Sequence, residues 1–147
     1  MVVDVIRRGF LLLLSLLFVA AGINHFVHPD FYVSIMPPWI PWHHQLVALS
    51  GVIEVALGIA VVVPSSRKLA GWMLIVMLIA FIPVHIHMAT HPEQFADFAY
   101  WKILLRLPMQ ALLIAWVYWV AIASVRQHRV KSTDSEAYET IEPKKLR

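Results

Sequence analysis

Four long apolar stretches, Gly9–Val27, His44–Val63, Leu69–Met88 and Ile103–Ala123, decide what this chain can become. Crossing roughly 30 Å of hydrocarbon takes about 20 helical residues, and each stretch supplies about that many. The chain is 60% hydrophobic and 14% charged, where soluble domains run near 45–50% and about 25%. Little is left for a soluble domain. The expectation is an all-α membrane protein, a four-transmembrane-helix bundle over residues 1–125. A polar tail of mixed charge over 126–147 is expected to be disordered.

There are no cysteines, which excludes structural disulfides, thiolate metal sites and thiol relays. The formal net charge of +3 is a matter of topology and does not point to nucleic acid. Arg7 and Arg8 precede the first span, Arg67 and Lys68 fill the turn between the second and third, and Arg126, Arg129 and Lys131 follow the fourth. The other two connections, residues 28–43 and 89–102, hold one lysine, Lys102, beside Asp30, Glu93 and Asp97. By the positive-inside rule both termini are cytoplasmic. The competing reading of residues 1–22 is a cleaved signal peptide, but polar Asn24 and His25 follow at once and its removal would leave an odd number of spans.

The first outward connection combines Pro37, Pro38 and Pro41, which forbid a regular helix, with Phe31, Tyr32, Ile35, Met36, Trp39 and Trp42, which want apolar cover. A lid over the bundle mouth or an interfacial anchor both satisfy this proline- and aromatic-rich loop. The first and third spans end alike, in His25-Phe-Val-His28-Pro29-Asp30 and His87-Met-Ala-Thr-His91-Pro92-Glu93. Either a duplicated two-helix unit or chance accounts for that echo.

Seven of the eight histidines fall near one side of the membrane, and Glu54 lies about ten residues from either end of the second span. A carboxylate at mid-membrane costs about 2.5–3.5 kcal/mol on insertion scales, so it must be neutral, paired or hydrated. Gly51, Gly58 and Ser50 flank it on one stripe, which admits a close helix neighbour and turns Glu54 toward protein. Arg106, with Gln110 one turn further on the same face, is its natural partner, and a bridge that merely locks two helices is one outcome. Asn24, His25, His85 and His87 add polar groups at the outer ends of the first and third spans. His85 and His87 are two apart and point roughly opposite ways on a regular helix.

This set suits a site for a quinone or similar amphipathic molecule. Glu54 and His85 would handle protons, and Asn24, His25, His87, Arg106 and Gln110 would hold the ligand. A metal would need ligands from several helices, with His25, Glu54 and His85 as the available set. Haem would want facing histidines or a His–Met pair, and no spacing singles out Met88 or Met109. Metal and haem both rank below a quinone.

The segments Ala21-Gly-Ile-Asn24-His25-Phe26, Pro29-Asp-Phe-Tyr32, Met36-Pro-Pro-Trp39, Ser50-Gly-Val-Ile-Glu54, Leu57-Gly58, His85-Ile-His87-Met88 and Arg106-Leu-Pro-Met-Gln110 resemble the DoxX-like family of small bacterial membrane proteins, over about residues 9–123. The resemblance implies a four-helix bundle in the bacterial cytoplasmic membrane. It also implies a redox association, since the family takes its name from a subunit linked to quinone-dependent sulfur oxidation. The cysteines of relatives tied to disulfide chemistry are not matched, and no catalytic residues carry over. The expected protein therefore has an outward-facing intramembrane pocket and would act as a subunit of a quinone-linked oxidoreductase, with the lipid bilayer, a small amphipathic ligand and a membrane redox complex or second copy as partners. The alternatives are a non-enzymatic accessory or assembly subunit with a structural Glu-Arg-His cluster, and a proton pathway or transporter.

Overall fold

The computed structural model describes residues 2–95 and 99–123, with side chains from residue 5. The expected tail at 126–147 lies outside the described residues, as do Asp97, Arg126, Arg129 and Lys131. All regular structure among the described residues is helical: α1 (Val2–Val27), short α2 (Pro29–Ser34), α3 (His43–Ala60), α4 (Arg67–Thr90), a 3-10 turn (Pro92–Phe95), α5 (Tyr100–Val117) and a π-helical turn (Tyr118–Ala123) that continues α5. Four segments are long and apolar enough to cross a membrane: Val5–Val27, His43–Ala60, Arg67–Thr90 and Tyr100–Ala123.

The second of these stops three residues short of the expected Val63. Pro64 cannot continue a helix hydrogen-bond ladder, and Val61–Ser66 turn instead. Arg67 stabilises the exit: its Nε donates to Val61 O (3.2 Å) and its Nη2 to Val62 O (2.9 Å). A cation thus meets carbonyls that the end of α3 leaves without helical partners. Pro83 in α4 and Pro108 in α5 lie within continuous helices, which membrane-length helices tolerate where neighbouring groups take up the freed carbonyls.

Two antiparallel hairpins result. In the first, α1 packs on α3 through small residues. Ser15 Oγ donates to Gly58 O (2.6 Å). A Cβ placed on Gly22 would stand 2.6 Å from Gly51 O and 2.9 Å from Glu54 Cβ, and one on Gly51 would stand 2.8 Å from Gly22 O and from His25 Cβ. These glycines let the two backbones touch. The hairpin is sheared: α3 begins at His43, eight residues before Gly51, whereas α1 ends at Val27, two after His25. At about 1.5 Å per residue, α3 overshoots α1 by roughly 9 Å.

The second hairpin pairs α4 with α5 and the π-helical turn. Gln110 donates to the Leu78 carbonyl, and Gly71 is so close to Ala121 that an added Cβ would lie 2.8 Å from Ala121 Cβ. The hairpins join at the end carrying the π-helical turn, where Leu14, Phe18, Leu57, Val61, Leu74 and Val120 form the core. Arg7 Nη2 also donates there to Trp119 O (2.6 Å). At the other end, the histidine end, α2 and the loop after it pack beside α3, and a second small core gathers Ile35, Met88, Phe95 and Ile103.

Candidate functional site

Between these two cores the hairpins enclose a cavity of about 480 Å³. Its wall is mainly apolar, drawing Val47 and Ile53 from α3, Met77, Phe81 and Val84 from α4, and Phe31, Ile35, Met36 and Ile40 from the α2 segment. The proline- and aromatic-rich connection therefore roofs it. Its first part is helical: Pro29 opens α2, where a proline at the first turn is no burden, and the prolines at 37, 38 and 41 come after that helix. His43 Nε2 lies 3.1 Å from Pro37 O and pins the loop to the start of α3. Because a carbonyl only accepts, that nitrogen carries the hydrogen.

The polar side chains in the wall are His25, Tyr32, Ser50, Glu54, His85 and Arg106. Glu54 is 4% exposed and His25 6%. His25 Nδ1 stands 3.1 Å from Ala21 O and 3.2 Å from Glu54 Oε2. The carbonyl can only accept, so Nδ1 bears the hydrogen and gives it to Ala21 O. Glu54 Oε2 has the right distance but not the alignment for a hydrogen bond, and it is left without one. His85 Nδ1 is likewise buried with no hydrogen-bond partner.

Tyr32 stacks on the His25 ring, with centroids 3.7 Å apart and planes inclined by 27°. Asn24 Nδ2 donates to its hydroxyl (2.9 Å), while Asn24 Oδ1 accepts from His28 Nδ1 (3.0 Å). Asn24 thus positions Tyr32 and is not itself part of the wall. Tyr32 belongs to the site although sequence reasoning placed it only among the loop aromatics. Spacing gives no sign that a residue seven positions past His25 folds back onto it.

The expected site residues divide. The structure brings His25, Glu54, His85 and Arg106 to one cavity. Glu54 faces His25 and forms no ion pair with Arg106. The expectation of Arg106 as partner relied on a long side chain bridging the difference in depth, whereas the crossing at Gly22 and Gly51 sets His25 directly beside Glu54. Gln110 is 5% exposed and bonded to the α4 backbone, outside the wall. His87 faces the other way from His85, as their spacing requires, and packs against His91 (centroids 4.6 Å) and Phe95 (5.9 Å). His87 and His91 are four apart on one face, a pair the sequence reading passed over. His91 Nδ1 is taken up by His87 O (3.2 Å) and Thr90 Oγ1 (2.9 Å). Among the described residues, no group of three or more His, Cys, Asp or Glu side chains could hold a metal ion.

The two His-Pro-acid junctions have nearly the same backbone. His28 has φ −129°, ψ 57° and His91 φ −127°, ψ 54°, and each leads into a short helical turn. A residue before proline is pushed out of the helical region, which ends α1 and α4 in the same way.

Fold and cavity together define a multi-pass membrane protein, all-helical among the described residues, with a mainly apolar chamber that carries a few polar side chains between two hairpins. The chain belongs to the family described as Domain of unknown function (DUF8561), whose model matches residues 14–121. No curated protein and no solved structure matches it.

Proposed function

We propose that this protein holds an amphipathic small molecule, of the quinone class or similar to it, in the cavity between its hairpins. The observation that carries the reading is an apolar chamber of about 480 Å³ whose wall includes His85 and Glu54, each with a buried polar atom that has no hydrogen-bond partner. Small-molecule sites have this character: mostly apolar walls, a few convergent polar groups, and about 300–1,000 Å³ of space. Unsatisfied buried polar atoms cost free energy that a ligand's donor and acceptor groups would recover.

In this reading His85 and Arg106 hydrogen-bond the ligand's oxygens, and the His25–Glu54 pair holds a proton that can move between imidazole and carboxylate. Kinship with DoxX-like proteins, and with it a redox association, fits the motif residues that meet here: His25, Tyr32, Glu54, His85 and Arg106. Arg7, Arg8, Arg67 and Lys68 sit toward the π-helical end, which favours that end as cytoplasmic and the cavity as outward-facing, in the bacterial cytoplasmic membrane. A purely accessory bundle would need no chamber, and its polar cluster would be expected to satisfy itself.

The test is a mass-spectrometric inventory of small molecules co-purifying from native membranes with the wild type and with Glu54→Gln. A defined molecule enriched on the wild type and depleted on the variant is expected. A wild type that carries only bulk lipid, or a recurrent protein partner in its place, would sink the proposal.

A further inference from the structure

We infer that the molecule held in this cavity carries an anionic head, an oxyanion on an apolar body, captured by Arg106 and His85. This rests on the cavity reading above and narrows its ligand class.

The inference follows from how charge is met inside the chamber. Glu54 has His25 Nδ1 at 3.2 Å as a neighbour within the protein. Arg106 differs. It lies in the second turn of α5, half-buried, and lines the cavity. Among the described residues it makes no hydrogen bond and no ion pair; its electrostatic neighbours are Tyr32 and His85. The Tyr32 hydroxyl already takes the Asn24 N–H. A guanidinium stays protonated in proteins and carries five N–H donors in a planar fork. Leaving such a cation without a counter-ion beside an apolar wall is unfavourable. The fork matches a delocalised pair of oxygens, such as a carboxylate or the deprotonated oxygens of an acidic ring. His85 is the neighbouring polar side chain of the wall, and its Nδ1 has no hydrogen-bond partner. The apolar remainder of the chamber would take the body of the molecule.

Ring and chain oxyanions share this chemistry, and the experiment separates them. The intact protein in non-ionic detergent is titrated calorimetrically with two matched pairs of probes. One is a 2-hydroxy-3-alkyl-1,4-naphthoquinone, an enolate at neutral pH, against its 2-methoxy ether. The other is decanoate against methyl decanoate. At least one anion is expected to bind about tenfold or more tighter than its neutral match, as charge-assisted hydrogen bonds imply. The preferred pair identifies the source as ring or chain. Arg106→Gln should reduce the preference to about twofold, and Arg106→Lys should keep part of it.

Equal affinities within both pairs on the wild type, or a preference that survives Arg106→Gln, would overturn the inference. Binding of neutral and charged probes alike would do so while leaving the cavity reading intact. Binding of no probe by the folded wild type would end both. The wild-type pairs decide the matter by themselves if the variant does not fold.

Discussion

At the residue scale, Gly22 and Gly51 set the distance at which His25 and Glu54 meet. A Cβ on Gly22 would lie 2.6 Å from a backbone oxygen, which no side-chain rotation can relieve. Overpacking of this kind costs about 1–3 kcal/mol. Gly22→Ala is therefore expected to lower stability by that amount in reversible detergent unfolding. Gly9→Ala, where nothing lies within 4 Å, should change nothing or gain up to about 1 kcal/mol from helix propensity. Equal behaviour of the two variants would refute the crossing described for α1 and α3. The small-residue stripe around Glu54 was legible in the sequence, because glycines three and four residues away on a helix share a face with it. The identity of its partner was not. Choosing His25 over Arg106 depends on which helix fills the stripe, and composition does not encode that.

At the scale of elements, span number and approximate limits could be read from hydropathy, but relative depth could not. Counting within the expected span His44–Val63 puts Glu54 at mid-span. The shear between α1 and α3 puts it level with Gly22, five residues from the end of α1. An element's length says nothing of how far it slides along its neighbour; the contacts of Ser15, Gly22 and His25 fix that. The roof shows a second case. Trp42, the residue before α3, has φ 55° and ψ 46°, a left-handed conformation costing roughly 1–2 kcal/mol for a residue with a Cβ. Its side chain is 73% exposed, so truncation removes little packing. Trp42→Gly should accordingly be more stable than Trp42→Ala by about 1 kcal/mol, measured as the difference in unfolding free energy. A Trp42→Ala variant equal to or better than Trp42→Gly would contradict the backbone assigned here.

At the scale of the whole molecule, the arrangement is two hairpins joined at the π-helical end and parted at the histidine end. The four spans foretell helices that need neighbours, not which pairs join or where they part. Orientation can be tested directly because the chain has no cysteine. A single cysteine at Trp39, in the roof and 70% exposed, should react with a membrane-impermeant maleimide on intact cells. A cysteine at Ser65, in the exposed turn between α3 and α4, should react only after permeabilisation. The opposite pattern would invert the proposed topology and turn the cavity to the cytoplasm.

The cavity wall includes Leu49 of α3, 54% exposed, and Ala80 of α4, also exposed. Each lines the chamber and is exposed as well, which marks the α3–α4 side, on the face that lipid would cover, as the place where a door would open. A guest using that door comes from the bilayer. What governs its occupancy is then its mole fraction among the lipids, not its concentration in water. A sparingly soluble molecule that partitions well could fill the site while almost absent from the aqueous phase, and diluting it with more lipid would empty the site as surely as removing it.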